Sequence, residues 1–255
     1  MIGKRLMPVT LAAAMAACIL PGAAQAAEIK VMTSVALTAA LGDLVPLFEN
    51  ATGDKVSVAY GLAAELKKRV AEGESADVIM LTRPMMEDLQ KQNKFVGGLV
   101  NVAGTPVAVA ARAGAPKPDI GSVEALKRTL LNARAIVYSD PAKGGISGVV
   151  FARALDRLGI TEEMKAKTIL VPGAQAPEVV AKGEAELGVA QASEIVPVAG
   201  AQLVGPLPGE LASLTLFTAA VGADSKAAAG AKAFIEFLTG PAAAPKFKAR
   251  GFEPG

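Results

Sequence analysis

Between residues 28 and 92, apolar residues alternate between two spacings. Short runs typical of strands occupy Glu28–Met32, Lys55–Tyr60 and Ala76–Leu81. Each run is followed by apolar residues at helical spacing, and the first helical pattern ends at the turn sequence Thr52-Gly53-Asp54. Three βα units in succession predict a parallel sheet with helices on both faces.

The same alternation continues to the end of the chain. Further strands are predicted at Asn101–Ala111, Ala135–Tyr138, Thr168–Val171, Ala185–Gln191 and Leu214–Val221, with helices at 122–131, 146–158, 177–182 and 231–238. An α/β chain of this length favours two lobes over one sheet. We place the crossings in the two long apolar strands, and therefore expect residues 27–105 and 212–255 in lobe 1 and residues 106–211 in lobe 2. A cleft between such lobes is a natural ligand site, because helix N-termini from both sides converge there.

The first 26 residues have the layout of a secretory signal peptide. Lys4 and Arg5 precede an apolar run from Val9 to Leu20, and Ala24-Gln25-Ala26 provides a small-x-small cleavage site. The run is too short to remain as a membrane-spanning helix. We therefore predict cleavage after Ala26 and a periplasmic protein. The stretch ending at Cys18 loosely resembles a lipoprotein box, so a lipid-modified Cys18 is the alternative.

Charge and composition exclude several classes of function. Without the predicted signal peptide the chain has 24 basic and 24 acidic residues, whereas a nucleic-acid partner normally requires a basic excess. The sequence contains no histidine, which excludes Ser-His-Asp and Cys-His hydrolases and removes the commonest zinc ligand. We expect a monomer with no metal, no cofactor and no nucleic-acid partner.

Six short motifs follow one another along the chain. They are Ile29-Lys30-Val31-Met32-Thr33-Ser34, the segment 47–53 (LFENATG), the segment 72–78 (EGESADV), Ser139-Asp140-Pro141, the segment 180–188 (VAKGEAELG) and the segment 233–238 (AFIEFL). In this order and spacing they resemble periplasmic solute-binding proteins of ABC importers, in the branch that includes the molybdate-binding proteins. The resemblance implies a two-lobed α/β clamp of the type II periplasmic binding-protein fold, with mixed or parallel sheets, that closes on a small anion. One branch is also similar to aconitate isomerase, an enzyme that moves a double bond in a tricarboxylate.

Three positions depart from the molybdate-binding pattern. Molybdate binders place one serine hydroxyl at the start of the first helix and another after the second strand, where this sequence has Ala36 and Ala63. A tyrosine that helps to hold the oxyanion corresponds to Gln191. Each lost hydrogen bond to a charged group costs roughly 1.5–3 kcal/mol. These departures favour a different anion, such as a di- or tricarboxylate.

The candidate ligand-binding residues follow predicted strands or begin predicted helices. Hydroxyl and backbone donors can receive a carboxylate, Arg can grip one with two parallel bonds, and glycines let the backbone approach a ligand closely. The segment from Lys143 to Gly148 is not a P-loop, because its lysine precedes the glycines. We predict that the ligand-binding residues are Thr33, Ser34, Arg83, Gly145, Ser147, Gly148 and Gln191.

Isomerisation requires a base that removes a proton beside a carboxylate. Without histidine the base has to be Lys, Glu, Asp or Tyr, and Lys143 and Tyr60 are the first candidates. Three functions remain open: capture of a small carboxylate anion, with an ABC permease as candidate partner; cofactor-independent aconitate isomerisation by a proton shift; and molybdate or tungstate binding.

Overall fold

The computed structural model describes residues 26–255. Residues 1–25, which carry Cys18 and nearly all of the predicted signal peptide, lie outside the described residues. In the described part of the chain, no helix is both long enough and apolar enough to cross a bilayer.

Ten strands and ten α-helices lie within the described residues. The strands are β1 (Glu28–Ser34), β2 (Lys55–Gly61), β3 (Val78–Thr82), β4 (Phe95–Arg112), β5 (Ile136–Ser139), β6 (Thr168–Val171), β7 (Leu187–Gln191), β8 (Ala201–Pro206), β9 (Leu214–Gly222) and β10 (Glu253–Pro254). The helices are α1 (Thr38–Thr52), α2 (Ala63–Ala71), α3 (Arg83–Lys91), α4 (Val123–Asn132), α5 (Ile146–Leu158), α6 (Thr161–Lys165), α7 (Ala176–Lys182), α8 (Ala192–Ile195), α9 (Ala228–Thr239) and α10 (Ala244–Ala249). A 3₁₀ turn, Val35–Leu37, precedes α1.

Strand β4 joins two halves of the molecule. Its residues from Phe95 to Pro106 pair with β9, and from Val107 onward it pairs with β7 and β8 instead. The strand order on one side is β2-β1-β3-β9-β4, and on the other it is β4-β7-β5-β6. We call the β2-to-β9 side lobe 1 and the β7, β5, β6 and β8 side lobe 2. The predicted lobe boundaries stay a prediction.

The α/β fold class is confirmed, and the sheet is mixed. Strands β1, β2 and β3 are mutually parallel, as three βα units predict, but β9 and β4 run antiparallel to their neighbours. The predicted strand at Asn101–Ala111 was too short, because Gly97 and Gly98 interrupt the apolar pattern of β4. Helix α5 has the predicted bounds, and Gly53 ends α1 in the left-handed conformation at φ 82°.

In each lobe, helices pack on both faces of the sheet. In β3, Val78 and Met80 face the apolar cluster beneath α1 and α9, whereas Ile79 and Leu81 face the cluster beneath α2 and α3. This two-residue alternation is the side-chain period of a strand. A separate cluster in lobe 2 packs β5 and β7 against α4 and α5. The helices that begin at the carboxyl ends of these strands therefore start close to the boundary between the lobes.

The buried carboxylate of Asp77 connects three segments of lobe 1. It accepts hydrogen bonds from the backbone N–H groups of Lys30, Lys226 and Ala227 at 2.8–3.0 Å, and from the hydroxyl of Ser225 at 2.7 Å. Burial alone would raise the pKa of Asp77, but these donors together lower it below the usual value. The charged form is therefore the form that stabilises the fold.

We expect Asp77→Asn to lower the free energy of unfolding by about 2–4 kcal/mol, because an amide group replaces an acceptor among four donors. The wild-type contribution is present above the unfolded pKa of an aspartate and is lost as pH falls through the lowered folded pKa. Urea titrations at pH 7 and pH 3 measure both effects. The exposed neighbour Asp224 provides the control, since Asp224→Asn should change stability by less than about 0.5 kcal/mol.

Candidate functional site

A cavity lies between the lobes at the carboxyl ends of β1, β5 and β7. It contains about 310 Å³ of empty space, a volume that includes open solvent, so the enclosed part is smaller than a typical small-molecule site. The lining residues are Ser34, Val35, Leu62, Ala63, Ser139, Gly144, Gly145, Ile146, Ser147, Gly173, Gln191 and Glu194. Room for an organic ligand therefore depends on how far apart the two lobes stand.

Three helices begin at this cavity. Ser34 opens the 3₁₀ turn that leads into α1, Leu62 immediately precedes α2, and Gly145 immediately precedes α5. The first N–H groups of a helix have no partner within the helix, and the helix dipole adds partial positive charge there. The helix N-termini of both lobes therefore make the cavity attractive to anions.

Serine hydroxyls supply further hydrogen-bonding groups. Ser139 accepts the N–H of Gly148 at 3.0 Å, and its hydroxyl oxygen lies 3.2 Å from that of Ser147. When Ser139 donates to Ser147, the proton of Ser147 is left for a ligand. Ser34 lines the opposite side from lobe 1, so three serines face this space. Ala63 is part of the lining, whereas Ala36 follows the lining residues Ser34 and Val35 and is not itself part of it.

The side chain of Gln191 is the least satisfied group in the cavity. The residue ends β7 and is 1% exposed. Its Oε1 is placed toward the backbone N–H of Glu194 as one half of a capping box, whereas its Nε2 has no hydrogen-bond partner in residues 26–255. A buried polar group without a partner costs roughly 1–3 kcal/mol. A ligand that pairs with Nε2 would recover that cost, which makes Gln191 the leading candidate for contact with a polar ligand group.

Glu194 places a carboxyl group in the same cavity. Its Oε2 accepts the backbone N–H of Gln191 at 3.1 Å. The residue keeps partial solvent accessibility through the cavity that it lines, while protein atoms surround its carboxyl group on the other sides. This burial raises the pKa of Glu194 to about 7, against a smaller lowering by the Gln191 N–H. The carboxyl group can therefore gain or lose a proton near neutral pH.

The two lobes touch at the rim of the cavity. A Cβ added to Gly144 would lie 3.1 Å from the Cβ of Ala64, and one added to Gly173 would lie 3.7 Å from Leu62. Ile146 of lobe 2 packs against the apolar cluster of lobe 1 that contains Ala63. These contacts close the cavity, so a ligand enters by separation of the lobes about the segments that connect them.

Four of the seven predicted ligand-binding residues line the cavity together: Ser34, Gly145, Ser147 and Gln191. Gly148 lies beside them, and its N–H is taken by Ser139. The hydroxyl of Thr33 donates to the carbonyl of Met80 at 2.9 Å, within the sheet. Arg83 is exposed and donates to Glu87 at 2.9 Å and to Asn101 at 2.8 Å, away from the lining residues. Ligand contact stays a prediction for all seven residues.

Neither candidate base belongs to the lining. Lys143 is exposed on the 3₁₀ turn before Gly144. Tyr60 is half-buried against the core of lobe 1, and burial raises the pKa of its phenol. A raised phenol pKa makes the basic form scarcer at neutral pH, so Tyr60 is less suited to remove a proton.

Sequence reasoning missed Ser139 and Glu194. Ser139 opens one of the six motifs, but only the tertiary structure brings its hydroxyl against the first turn of α5. Glu194 follows the end of a predicted strand by three residues, which is the position of a helix-capping acid. Nothing in that pattern distinguishes a cap on the surface from one that faces a ligand cavity.

Comparison with known proteins agrees with this architecture. The family model described as bacterial extracellular solute-binding protein matches residues 29–253. The chain belongs to this family. An aconitate isomerase from Pseudomonas sp. is 31% identical over 231 residues, covering 88% of this chain and 87% of the relative. The molybdate-binding protein ModA of Azotobacter vinelandii is 32% identical over 254 residues, covering 95% and 96%. The solved periplasmic molybdate-binding protein of Azotobacter vinelandii covers 88% of this chain and 98% of its own, with a TM-score of 0.73 at 22% identity, which supports the fold.

The raised pKa of Glu194 predicts a specific pH dependence of stability in this member of the family. An acid whose pKa is higher in the folded state stabilises the fold fully below its unfolded pKa, and that contribution is lost as pH rises through about 7. Between pH 4.5 and 7.5 we expect Glu194 to lower the wild-type free energy of unfolding by about 1–3 kcal/mol. This decrease should be absent in Glu194→Gln. Unfolding titrations of both proteins across that range measure the difference. Parallel pH curves for wild type and variant would contradict the prediction.

Proposed function

We propose that this solute-binding protein captures a small carboxylate-type anion in the interlobe cavity. The Nε2 group of Gln191 carries the proposal, because it is a buried donor without a partner in the described residues and lies in the same cavity as three helix N-termini. A carboxylate there receives N–H groups from α5 and the amide of Gln191, and hydroxyl groups from both lobes.

Acceptor atoms in the cavity favour an organic acid over molybdate. The ionised carboxyl group of Glu194 is an acceptor that repels an anion with acceptor oxygens alone, whereas a ligand that carries hydrogen can donate to it. Molybdate is an oxyanion with acceptor oxygens alone, whereas a hydroxy acid or a partly protonated polycarboxylate offers both kinds of group. The same mixture of donors and acceptors makes the site a poor match for tungstate.

In the cell we place this capture in the periplasm, with delivery to an ABC permease as its purpose. The support is the family of extracellular solute-binding proteins and the signal-like N-terminal sequence. Closing of the lobes around the ligand provides a surface that a permease can distinguish from the open state.

Isothermal titration calorimetry on the purified protein tests the ligand class. We expect at least one di- or tricarboxylate among citrate, tricarballylate and the two aconitates to bind more tightly than molybdate. At 100 times its dissociation constant, the ligand should also raise the free energy of unfolding by about 2.7 kcal/mol. Molybdate binding tighter than that of every carboxylate would contradict the proposal.

A second candidate function is aconitate isomerisation. It is favoured by 31% identity to an aconitate isomerase over 88% of the chain, and a cavity suited to carboxylates is also required of such an enzyme. Proton NMR of the purified protein with cis-aconitate, without added metal or cofactor, tests it. The expected result is formation of trans-aconitate; a ligand that binds and never changes would leave capture as the function.

A further inference from the structure

Glu194 is the one ionisable side chain among the twelve residues that line the cavity. Its Oε2 bonds to the N–H of Gln191, and its Oε1 accepts no hydrogen bond within residues 26–255. The neighbouring Nε2 of Gln191 has no partner in the described residues. A group with a free carboxyl oxygen therefore lies beside the position that we assign to the ligand.

No charged side chain of the surrounding elements faces this carboxyl group. Helix α8 contacts β4, β7, β8 and the 3₁₀ turn Val35–Leu37. The last three contain no titratable residue, and the one titratable residue of β4, Arg112, lies at its far end, beside Gly183. In the nearby C-terminal loop, Arg250 is paired with Asp43 at 2.7 Å. Burial is therefore the dominant influence on Glu194, and it raises the pKa of this residue to about 7.

We propose that Glu194 is the acid–base group that moves the proton of a bound unsaturated tricarboxylate; this inference rests on the isomerase function above. The base named from the sequence, Lys143 or Tyr60, lies outside the lining. Serine hydroxyls are too weakly basic for the task without a partner base. Glu194 lines the cavity, and its carboxyl group can gain or lose a proton near neutral pH, so it meets both requirements of such a group.

The proton shift balances with Glu194 as its single acid–base group. The Glu194 carboxylate removes a proton from the methylene carbon of the ligand, and the C–H electron pair forms a new double bond to the central carbon. The electron pair of the old double bond moves to the former alkene carbon, which takes the proton back from the Glu194 carboxyl group. No oxidation state of the protein changes, and Glu194 returns to its starting form.

The rest of the cavity holds the ligand during this shift. Negative charge moves from the deprotonated carbon onto the adjacent ligand carboxylate, and the N-terminus of α5 with Ser147 is suited to stabilise it. The Gln191 amide positions the ligand against Glu194, and the closed rim slows exchange of the transferred proton with water.

Glu194 also has a structural role, since it caps the N–H of Gln191. Glu194→Gln keeps an oxygen that can accept this N–H but cannot act as a base. The matched control is Glu178→Gln, an exposed glutamate in the first turn of α7. Glu194→Asp retains a base at greater distance and covers the case in which Glu194→Gln does not fold.

The experiment compares turnover of cis-aconitate by NMR with its dissociation constant by calorimetry. We expect Glu194→Gln to lower turnover by at least about 100-fold, with binding changed by less than about fivefold, and Glu178→Gln to match wild type. Wild-type kcat should rise with pH through an inflection near neutrality, and Glu194→Asp should keep a pH-dependent fraction of the activity.

Three results would overturn the inference. Turnover of Glu194→Gln within threefold of wild type would do so while leaving the isomerase function intact. Selective loss of turnover in Lys143→Ala or Tyr60→Phe, with Glu194→Gln active, would assign the base elsewhere. Wild-type protein that binds aconitate without converting it would remove the isomerase function and this inference together.

Discussion

Gln191→Leu should strengthen the empty protein and weaken its ligand complex. An apolar side chain of similar size removes the desolvation cost of the buried Nε2, which has no partner in the described residues. We therefore expect the free energy of unfolding without ligand to rise by about 1–2 kcal/mol. The same change removes the amide that we assign to the bound carboxylate. Affinity for the best carboxylate should therefore fall by about 10–100-fold.

Urea titration and calorimetry measure the two effects on the same preparation. The control is Gln90→Leu on the exposed surface of α3, which should alter stability by less than about 0.5 kcal/mol and leave affinity unchanged. A Gln191→Leu protein that loses stability would mean that the amide has a structural partner. Unchanged affinity would remove Gln191 from the binding site.

Gly148→Ala should cost about 3 kcal/mol or more in stability. A Cβ at residue 148 would collide with the carbonyl oxygen of Ser139, which is backbone and cannot rotate away. The helix α5 would have to move off β5, which would displace Ser147 and the first N–H groups of α5. We therefore expect ligand binding to be lost in the fraction that still folds.

The matched control for this variant is Gly42→Ala in α1. Gly42 is also inside a helix, but a Cβ there meets no atom within 4 Å. Alanine is the better helix former, so this change should raise stability by about 0.5–1 kcal/mol. Thermal and urea unfolding compare the two; a Gly148→Ala protein as stable as wild type would show that α5 can shift without cost.

The periodicity of the chain was sufficient to predict most of the fold. Helix α5 was predicted with its observed bounds because its apolar positions and its glycines at both ends agree. The antiparallel placement of β9 was not predictable from periodicity, since a buried apolar run has the same pattern in either direction. The short strand β8 and helices α6 and α8 were missed because they are too short to show a period.

The lining of the cavity was predicted in part, where local chemistry and location coincide. Ser34, Ser147 and Gln191 end strands or begin helices, and such positions converge in an open α/β architecture. Arg83 has the same kind of position, yet its guanidinium is held by Glu87 and Asn101. The roles of Ser139 and Glu194 depend on contacts between segments distant in sequence, which no local pattern contains.

The most direct test of the account is the side-chain amide resonance of Gln191 in nitrogen-15-labelled protein, identified by its absence in Gln191→Leu. The account predicts that a saturating carboxylate shifts this resonance together with the backbone amides of Ile146 and Ser147 at the start of α5. A carboxylate that binds by calorimetry and leaves all three unchanged would contradict the claim that the ligand lies in this cavity.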